Sequence, residues 1–182
     1  MAKEVILLTG PPGIGKTTIL RDVISSTIGP YGGFYTLAVS ESGMRTRFDI
    51  VTLDGKRAVL AEKTRPNMPM VGSYHVNIEA LDSIAVPALK DAMMTGKTVV
   101  VDEIGPMEVL STEFRLTISG IVANPDLSLL GTIVQRQCDF ADELKAQPRL
   151  TLIDITRENR NRLRAQLHSL LQGSNVSPKL QR

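Results

Sequence analysis

The chain has 182 residues, of which 42% are hydrophobic and 22% are charged, a composition typical of one globular domain. Its formal net charge of +2 does not indicate a nucleic-acid or membrane partner, and a single cysteine, Cys138, excludes an intramolecular disulfide and a thiolate metal cluster. No apolar run approaches the roughly 20 residues of a membrane span. The first apolar run, Val5–Leu8, is too short for a signal-peptide core and lies beside Glu4, so we expect a cytoplasmic protein.

Buried strands are the first elements that the sequence predicts. Apolar residues that follow one another without polar interruptions are typical of parallel strands covered on both faces of a sheet. Four segments have this pattern: Val5–Leu8, Thr98–Val101, Leu127–Ile133 and Leu150–Ile155.

Helical patterns separate these strands. The first covers Lys16–Thr27, the second begins after Ser111 or Thr112, either of which can cap it, and the third follows Thr156. The apolar faces of the last two helices comprise Phe114, Ile118, Ile121, Val122, Leu163, Leu167, Leu170 and Leu171. This alternation predicts an α/β fold with three layers and a mostly parallel central sheet.

Residues 33–62 depart from the alternation. They contain three short strand patterns separated by Ser42-Gly43 and Asp54-Gly55, which is typical of antiparallel hairpins. The strand patterns are Phe34–Val39, Phe48–Leu53 and Ala58–Leu60. We therefore expect antiparallel β-hairpins inserted after the first helix.

The next segments predict a loop and an interrupted helix. Residues 65–76 include two prolines and a glycine and are expected to form a loop, whereas residues 78–94 have helical spacing that Pro87 should kink or split. Residues 1–172 are expected to form one domain with a hairpin insertion at 33–63, and residues 173–182 a flexible tail.

A phosphate-binding loop follows the first predicted strand. Gly10–Thr17 match the pattern G-x-x-x-x-G-K-[ST] at every fixed position. They lie between a predicted buried strand and a predicted helix, which is the context in which this pattern indicates phosphate binding. Glycines let successive backbone amides point at phosphate oxygens, and the helix N-terminus favours the same negative charge. The residues that we assign to the nucleotide here are Gly10, Pro11, Pro12, Gly13, Ile14, Gly15, Lys16, Thr17 and Thr18.

Two acidic residues end the strand that begins at Thr98. A buried strand accepts charge at its mouth, so Asp102 and Glu103 should emerge at the carboxyl edge of the sheet, where the phosphate-binding loop also opens. Asp102 is therefore predicted to bind the nucleotide's Mg²⁺ together with the Thr17 hydroxyl. Glu103 is predicted to orient and deprotonate a water molecule, with Lys16 as its catalytic partner on the γ-phosphate. Glu108 either caps the next helix or has a catalytic role.

Several motifs together resemble the family of thermophilic and cancer-related nucleoside-triphosphatases. The resemblance covers about residues 3–170, and its distinctive parts are the hairpin Gly32–Thr36 and the run Asp102–Glu108; Gly10–Thr18, Phe48–Val51 and Thr156–Arg160 also match. It implies a RecA-like P-loop core and slow, Mg²⁺-dependent hydrolysis of several nucleoside triphosphates with little base preference. It also implies phosphate binding at Gly10–Thr17 and near Val99–Pro106.

The chain departs from that family at Pro106. Relatives usually carry lysine between the glycine and the methionine of the second run. If that lysine neutralises phosphate charge, this protein turns over more slowly or uses another cation.

Other polar residues have two open interpretations each. Arg136 and Arg160 can each stabilise the charge of the transferred phosphate, Asn159 with Arg160 can line the base pocket, and solvated surface positions are the alternative for both arginines. Thr132 is either a polar sensor at its strand end or an ordinary buried threonine.

Three functions fit these patterns. The first is hydrolysis of ATP, GTP and other triphosphates to diphosphate and phosphate. The second is a nucleoside or nucleotide kinase, although an arginine-rich lid is not evident in residues 135–149, which contain Arg136, Lys145 and Arg149. The third is a nucleotide-gated binding module that uses the hairpins as its contact surface. No feature identifies a protein or nucleic-acid partner or an oligomeric state.

Overall fold

The structure, a computed structural model, describes residues 3–171 of the chain. Within these residues, nine strands form one sheet in the order β5-β6-β4-β3-β2-β7-β8-β1-β9. The strands are β1 Val5–Thr9, β2 Tyr31–Glu41, β3 Met44–Thr52, β4 Arg57–Glu62, β5 Met70–Val71, β6 Tyr74–Val76, β7 Thr98–Ile104, β8 Leu129–Ile133 and β9 Leu150–Asp154. The tail predicted for residues 173–182 lies outside the described residues.

Helices cover both faces of the sheet, which confirms the predicted three-layer α/β fold. They are α1 Lys16–Ser26, α2 Ile78–Ala80, α3 Val86–Met94, α4 Thr112–Ala123, α5 Asp139–Lys145 and α6 Arg160–Leu171, with a 3₁₀ turn at Glu108–Leu110. Alternate residues of β1 enter two separate cores: Val5 and Leu7 pack with α3, α4 and α5, whereas Ile6 and Leu8 pack with α1 and α6. Burial on both faces explains why the strand is a continuous apolar run.

The parallel and antiparallel halves of the sheet meet at β2. Tyr31–Tyr35 pair in parallel with β7, and Phe34–Glu41 pair antiparallel with β3. Because Tyr35 is aligned with Asp102, the residues of β2 after Tyr35 extend beyond the carboxyl edge of the parallel strands. We call this extension, together with β3 and β4, the hairpin wall. The predicted hairpins are confirmed, and their first strand is also part of the central sheet.

The prediction of a loop at residues 65–76 was wrong in part. It contains β5 and β6, which pair with each other and continue the sheet beyond β4. These strands have two and three residues, which is too short for an alternating pattern to indicate a strand.

The predicted helix at residues 78–94 is divided by five residues of π-helix, Leu81–Ala85. The amide of Val86 donates to the carbonyl of Leu81, five residues earlier. Pro87 then lies in the first turn of α3, where its missing amide hydrogen is not needed. The proline therefore splits the helix by shifting its hydrogen-bond register.

Candidate active site

The phosphate-binding loop joins β1 to α1 at the carboxyl edge of the sheet. Gly10 has φ +145°, and a Cβ there would lie 2.7 Å from the carbonyl oxygen of Ile155, so this position requires glycine. Gly15, with φ +107°, precedes α1 without providing a side-chain cap, and the first turn of α1 contains no acidic residue. The first amides of α1 are thus available to an anion.

Lys16 lies at the centre of the loop. Its Nζ donates a 3.0 Å hydrogen bond to the carbonyl of Gly10 and lies 3.8 Å from Oε1 of Glu103. The lysine side chain is 11% exposed, whereas that of Glu103 is 34% exposed. The structure therefore brings together the two residues predicted as catalytic.

Asp102 is buried beneath the loop. Its Oδ1 accepts a 2.5 Å hydrogen bond from the Thr132 hydroxyl, and its Oδ2 is buried without a hydrogen bond of normal geometry to any part of the chain between residues 3 and 171. Burial raises the pKa of the Asp102 carboxyl group, while the hydroxyls of Thr132 and Thr17 and the charge of Lys16 oppose that rise. The Thr17 hydroxyl thus lies close to this carboxylate.

Two further carboxyl groups lie near Asp102. Burial raises the pKa of Glu103, and Asp102 adds to the rise, whereas Lys16 and Arg136 lower this pKa. Glu108 is buried, and its pKa is raised to about 8, first by burial and then by repulsion from Glu103. Glu108 does not cap the next helix, because the Ser111 hydroxyl accepts the capping hydrogen bond from the amide of Phe114.

A cleft of about 790 Å³ connects the loop with the hairpin wall. Four groups of residues line it: the phosphate-binding loop, the acidic strand end, the residues after β8, and the hairpin wall with β5. They are Gly10, Pro12, Gly13, Gly15, Lys16, Thr17, Thr18, Thr36, Leu37, Ala38, Arg45, Phe48, Leu60, Val71, Glu103, Pro106, Met107, Glu108, Val134, Gln135 and Arg136.

Most of the predicted site residues meet at this cleft. Pro11 and Ile14 belong to the same loop, and Ile14 also packs against the core beside α1 and α6. Asn159 and Arg160 do not line the cleft: the Asn159 side chain donates to the carbonyl of Asp154 at 2.8 Å and accepts from the amide of Thr156 at 2.9 Å. Their assignment to the nucleotide stays a prediction.

The sequence interpretation missed the cleft residues of the hairpin wall. Arg45, Phe48, Leu60 and Val71 come from three different strands and face the loop because β2 pairs with β7. Phe48 belongs to the family motif Phe48–Val51, which gave it no role, and no motif marks Arg45, Leu60 or Val71, since an alternating strand pattern does not reveal which neighbour its face meets.

The donor set is compatible with Mg²⁺. Mg²⁺ is held by few protein oxygens, its other ligands being water and phosphate. The buried Oδ2 of Asp102 has no hydrogen-bond partner among residues 3–171, and the Thr17 hydroxyl is close to the same carboxylate. Thr17 and Asp102 are therefore the residues that would hold the ion.

A strand that leads through a glycine-rich loop into an uncapped helix, with an acidic strand end facing it, defines the class of P-loop nucleoside triphosphatases. A protein-family model described as NTPase matches residues 5–168. The nucleoside-triphosphatase THEP1 of Thermotoga petrophila is 37% identical over 158 residues, covering 87% of each chain. The human cancer-related nucleoside-triphosphatase is 33% identical over 189 residues, covering 96% of this chain and 99% of its own.

Solved structures agree with these matches. The crystal structure of THEP1 from Aquifex aeolicus superposes with a TM-score of 0.85 at 33% identity, covering 92% of this chain and 99% of that one. The solution structure of the human cancer-related nucleoside triphosphatase has a TM-score of 0.78 at 32% identity, covering 96% of this chain and all of that one. The chain belongs to the THEP1 and cancer-related nucleoside-triphosphatase family and is a nucleoside-triphosphatase. No helix in the described residues is long and apolar enough to cross a membrane.

Proposed function

We propose that this enzyme hydrolyses ATP, GTP and other nucleoside triphosphates to diphosphate and phosphate, slowly, with Mg²⁺ and with little base preference. The observation that carries the proposal is the 3.8 Å approach of Lys16 Nζ and Glu103 Oε1 at one cleft, next to the buried Asp102, whose carboxylate also feels the charge of Lys16. A triphosphate tail that binds the amides of the loop would bring its γ-phosphate to this pair.

The residues have distinct roles in the proposed reaction. The loop amides and the Lys16 ammonium bind the β- and γ-phosphates and stabilise their negative charge. The Glu103 carboxylate orients a water molecule and accepts its proton as the water oxygen attacks the γ-phosphorus. Thr17 and Asp102 would hold Mg²⁺, which supplies positive charge at the β- and γ-oxygens when bound.

Exposure of the charged groups supports a slow reaction. Glu103 is 34% exposed and Arg136 is exposed, so water screens the charges that act on the γ-phosphate. The uncharged Pro106 lines the same part of the cleft.

Substitution of Glu103 tests the proposal. We expect Glu103→Gln to retain the Kd for ATP and GTP and to lower phosphate release at least about a hundredfold, because an amide cannot accept the proton. Phosphate release and calorimetric affinity should be measured for ATP, GTP, CTP and UTP, with Mg²⁺ and with EDTA.

Glu143→Gln is a matched control, because Glu143 is exposed on α5 and does not line the cleft. Unchanged turnover in Glu103→Gln would remove this residue from the mechanism. Full activity with EDTA would contradict the role of Mg²⁺, and hydrolysis confined to one base would contradict the broad specificity.

A further inference from the structure

The direction of the bound triphosphate follows from the order of the strands. The phosphate-binding loop follows β1, whose neighbours are β8 on one side and β9 on the other. Glu103 belongs to β7, which lies beyond β8. If the γ-phosphate meets Lys16 and Glu103, the phosphate chain points from β1 towards β7. The nucleoside of the triphosphate then extends the opposite way, towards β9 and the residues that precede α6.

The cleft continues past Glu103 in the direction away from that nucleoside. It reaches the hairpin wall at Thr36 of β2, Phe48 of β3 and Leu60 of β4. These strands lie beyond β7 in the sheet, on the far side of the γ-phosphate. This part of the cleft is therefore separate from the proposed position of the triphosphate.

The far part of the cleft has an apolar surface with an aromatic ring. Phe48, Leu60, Val71 and Met107 are the apolar residues that line it, whereas the register of β2 with β3 places the Leu37 side chain on the opposite face of the sheet from Phe48. We call these four residues, Phe48, Leu60, Val71 and Met107, the apolar wall. Apolar walls with a few polar groups are typical of small-molecule sites.

Phe48 is fixed by its neighbours. Its ring packs edge-on against Tyr74 with centroids 5.0 Å apart, and the guanidinium carbon of Arg45 lies 5.3 Å from its centroid. The Tyr74 hydroxyl donates a 3.0 Å hydrogen bond to the carbonyl of Arg45, which holds β3 against β6. An aromatic ring beside a guanidinium group is a surface on which a nucleobase stacks.

Polar groups at the junction suit an alcohol acceptor. The Glu103 carboxylate lies 3.8 Å from Lys16 of the loop and lines the same cleft as the apolar wall, and it can accept a proton from a hydroxyl group as well as from water. Glu108 also faces the cleft and is uncharged below about pH 8, so it can donate a hydrogen bond there. Lys145 and Arg149 are engaged elsewhere, with Asp142 and with backbone carbonyls respectively, so among the basic residues of 135–149 it is Arg136 that lines the cleft.

We propose that the apolar wall is an acceptor subsite, which binds a nucleoside and lets the enzyme transfer the γ-phosphoryl group to a hydroxyl of its sugar. This inference rests on the roles of the loop and Glu103 proposed above. The acceptor oxygen forms a bond to the γ-phosphorus while the bond from that phosphorus to the β–γ bridging oxygen breaks. The bridging oxygen keeps the electron pair and leaves with the nucleoside diphosphate, and the hydroxyl proton passes to Glu103. Water attacks in the same position when no nucleoside is bound.

The test compares diphosphate with free phosphate. The full-length enzyme is incubated with Mg²⁺, ATP labelled at the γ-phosphate, and adenosine, guanosine, cytidine, uridine or thymidine. We expect ADP to exceed phosphate with at least one nucleoside, and the missing label to appear as a nucleoside monophosphate. Glycerol is the control alcohol, because it lacks a ring to stack on Phe48. Equal amounts of ADP and phosphate with all five nucleosides would overturn the acceptor subsite, whereas no ADP under any condition would overturn the proposed hydrolysis itself.

Substitution of Phe48 tests where the acceptor binds. We expect Phe48→Ala to lower kcat/KM for the nucleoside at least fivefold more than kcat/KM for ATP, since the alanine removes the ring on which the base stacks. Phe48→Tyr keeps the ring and should retain transfer, which separates stacking from a folding defect. An equal or larger loss for ATP than for the nucleoside would mean that the apolar wall holds the base of the triphosphate, and the proposal would fail.

Discussion

At the scale of single residues, Asp102 illustrates how this fold prepares a charged group for a ligand. One carboxylate oxygen is occupied by the Thr132 hydroxyl, and the other is buried without a hydrogen bond to the described residues. A buried, unpartnered carboxylate oxygen is costly unless a ligand completes it. Thr132 therefore holds the carboxylate in an orientation that leaves one oxygen for the Mg²⁺ ion that we propose to bind here.

We expect Thr132→Val to weaken the apparent Mg²⁺ affinity about 10- to 100-fold, because partners of a metal ligand contribute on that scale. The measurement is the Mg²⁺ concentration that gives half-maximal phosphate release at saturating ATP. Thr132→Ser keeps the hydroxyl and should stay near the wild-type value. Equal Mg²⁺ dependence in the valine and serine variants would show that the hydrogen bond has no orienting role.

Arg136 is the second residue whose role we predict. It lines the same cleft as Pro106, and its charge lowers the pKa of Glu103. We expect Arg136→Ala to lower kcat for hydrolysis about tenfold, less than the loss of a buried donor, since Arg136 is exposed. In that background, Pro106→Lys should recover part of the rate by returning a cation to the cleft. An unchanged kcat in Arg136→Ala would show that this arginine is a solvated surface residue with no role in hydrolysis.

At the scale of elements, the pairing of β2 with β7 depends on one glycine. Gly33 has φ +121°, and a Cβ there would overlap the carbonyl oxygen of Val100 on β7. We expect Gly33→Ala to lower the free energy of unfolding by about 2–5 kcal/mol, from backbone strain and overpacking together. Gly43→Ala is the matched control: φ there is +78° but no atom lies within 4 Å of the added Cβ, so about 1–2 kcal/mol of strain remains. Urea unfolding measures the free energy of unfolding of both variants. Equal decreases in the two variants would contradict the close approach of β2 and β7.

The predicted and observed bounds of individual elements show how well local sequence patterns predict this fold. β1 and α1 follow the predicted bounds within two residues, because a fully buried strand and a glycine-rich turn leave few alternatives. β7 continues three residues past its predicted end at Val101. The apolar pattern ends at the two carboxylates, but Asp102 is aligned with Tyr35 of β2, and its side chain accepts a hydrogen bond from the Thr132 hydroxyl. The π-helical turn before Pro87 depends on a shift in hydrogen bonding that side-chain spacing does not encode.

At the scale of the whole molecule, the site was partly predictable. The phosphate-binding loop and the two acids are local motifs, and the rule that ligands bind at the carboxyl edge of a parallel sheet was enough to bring them together. The contribution of Phe48 and Arg45 was not predictable, because it follows from β2 pairing with both β3 and β7, and the paired residues of β2 and β7 are about 67 residues apart in sequence. The same long-range pairing forms the cleft.

Stability of the whole chain should depend on pH through Glu108. Its pKa of about 8 in the folded protein exceeds the ordinary value of 4.5, so the folded state holds a proton that the unfolded state releases. The free energy of unfolding therefore falls as pH rises from about 4.5 to 8 and is unaffected by this group above that range. At about 1.4 kcal/mol per pKa unit, the loss is on the order of 3–5 kcal/mol.

Glu108→Gln removes that dependence, because glutamine does not titrate. The stability of the variant relative to the wild type should increase by several kcal/mol between pH 5 and pH 8, as measured by urea unfolding at both values. Parallel changes in the two proteins would show that Glu108 titrates normally in the folded state.

The helix α1 begins without a side-chain cap, directly after the glycine-rich loop. In many helices a serine, threonine, aspartate or asparagine satisfies these first amides, whereas in our proposal the phosphates of the substrate do so. The triphosphate is thus a structural part of the enzyme while it is bound, and at a hundred times its Kd it would add about 2.7 kcal/mol to the unfolding free energy. We therefore expect bound triphosphate to protect the protein against thermal unfolding and proteolysis.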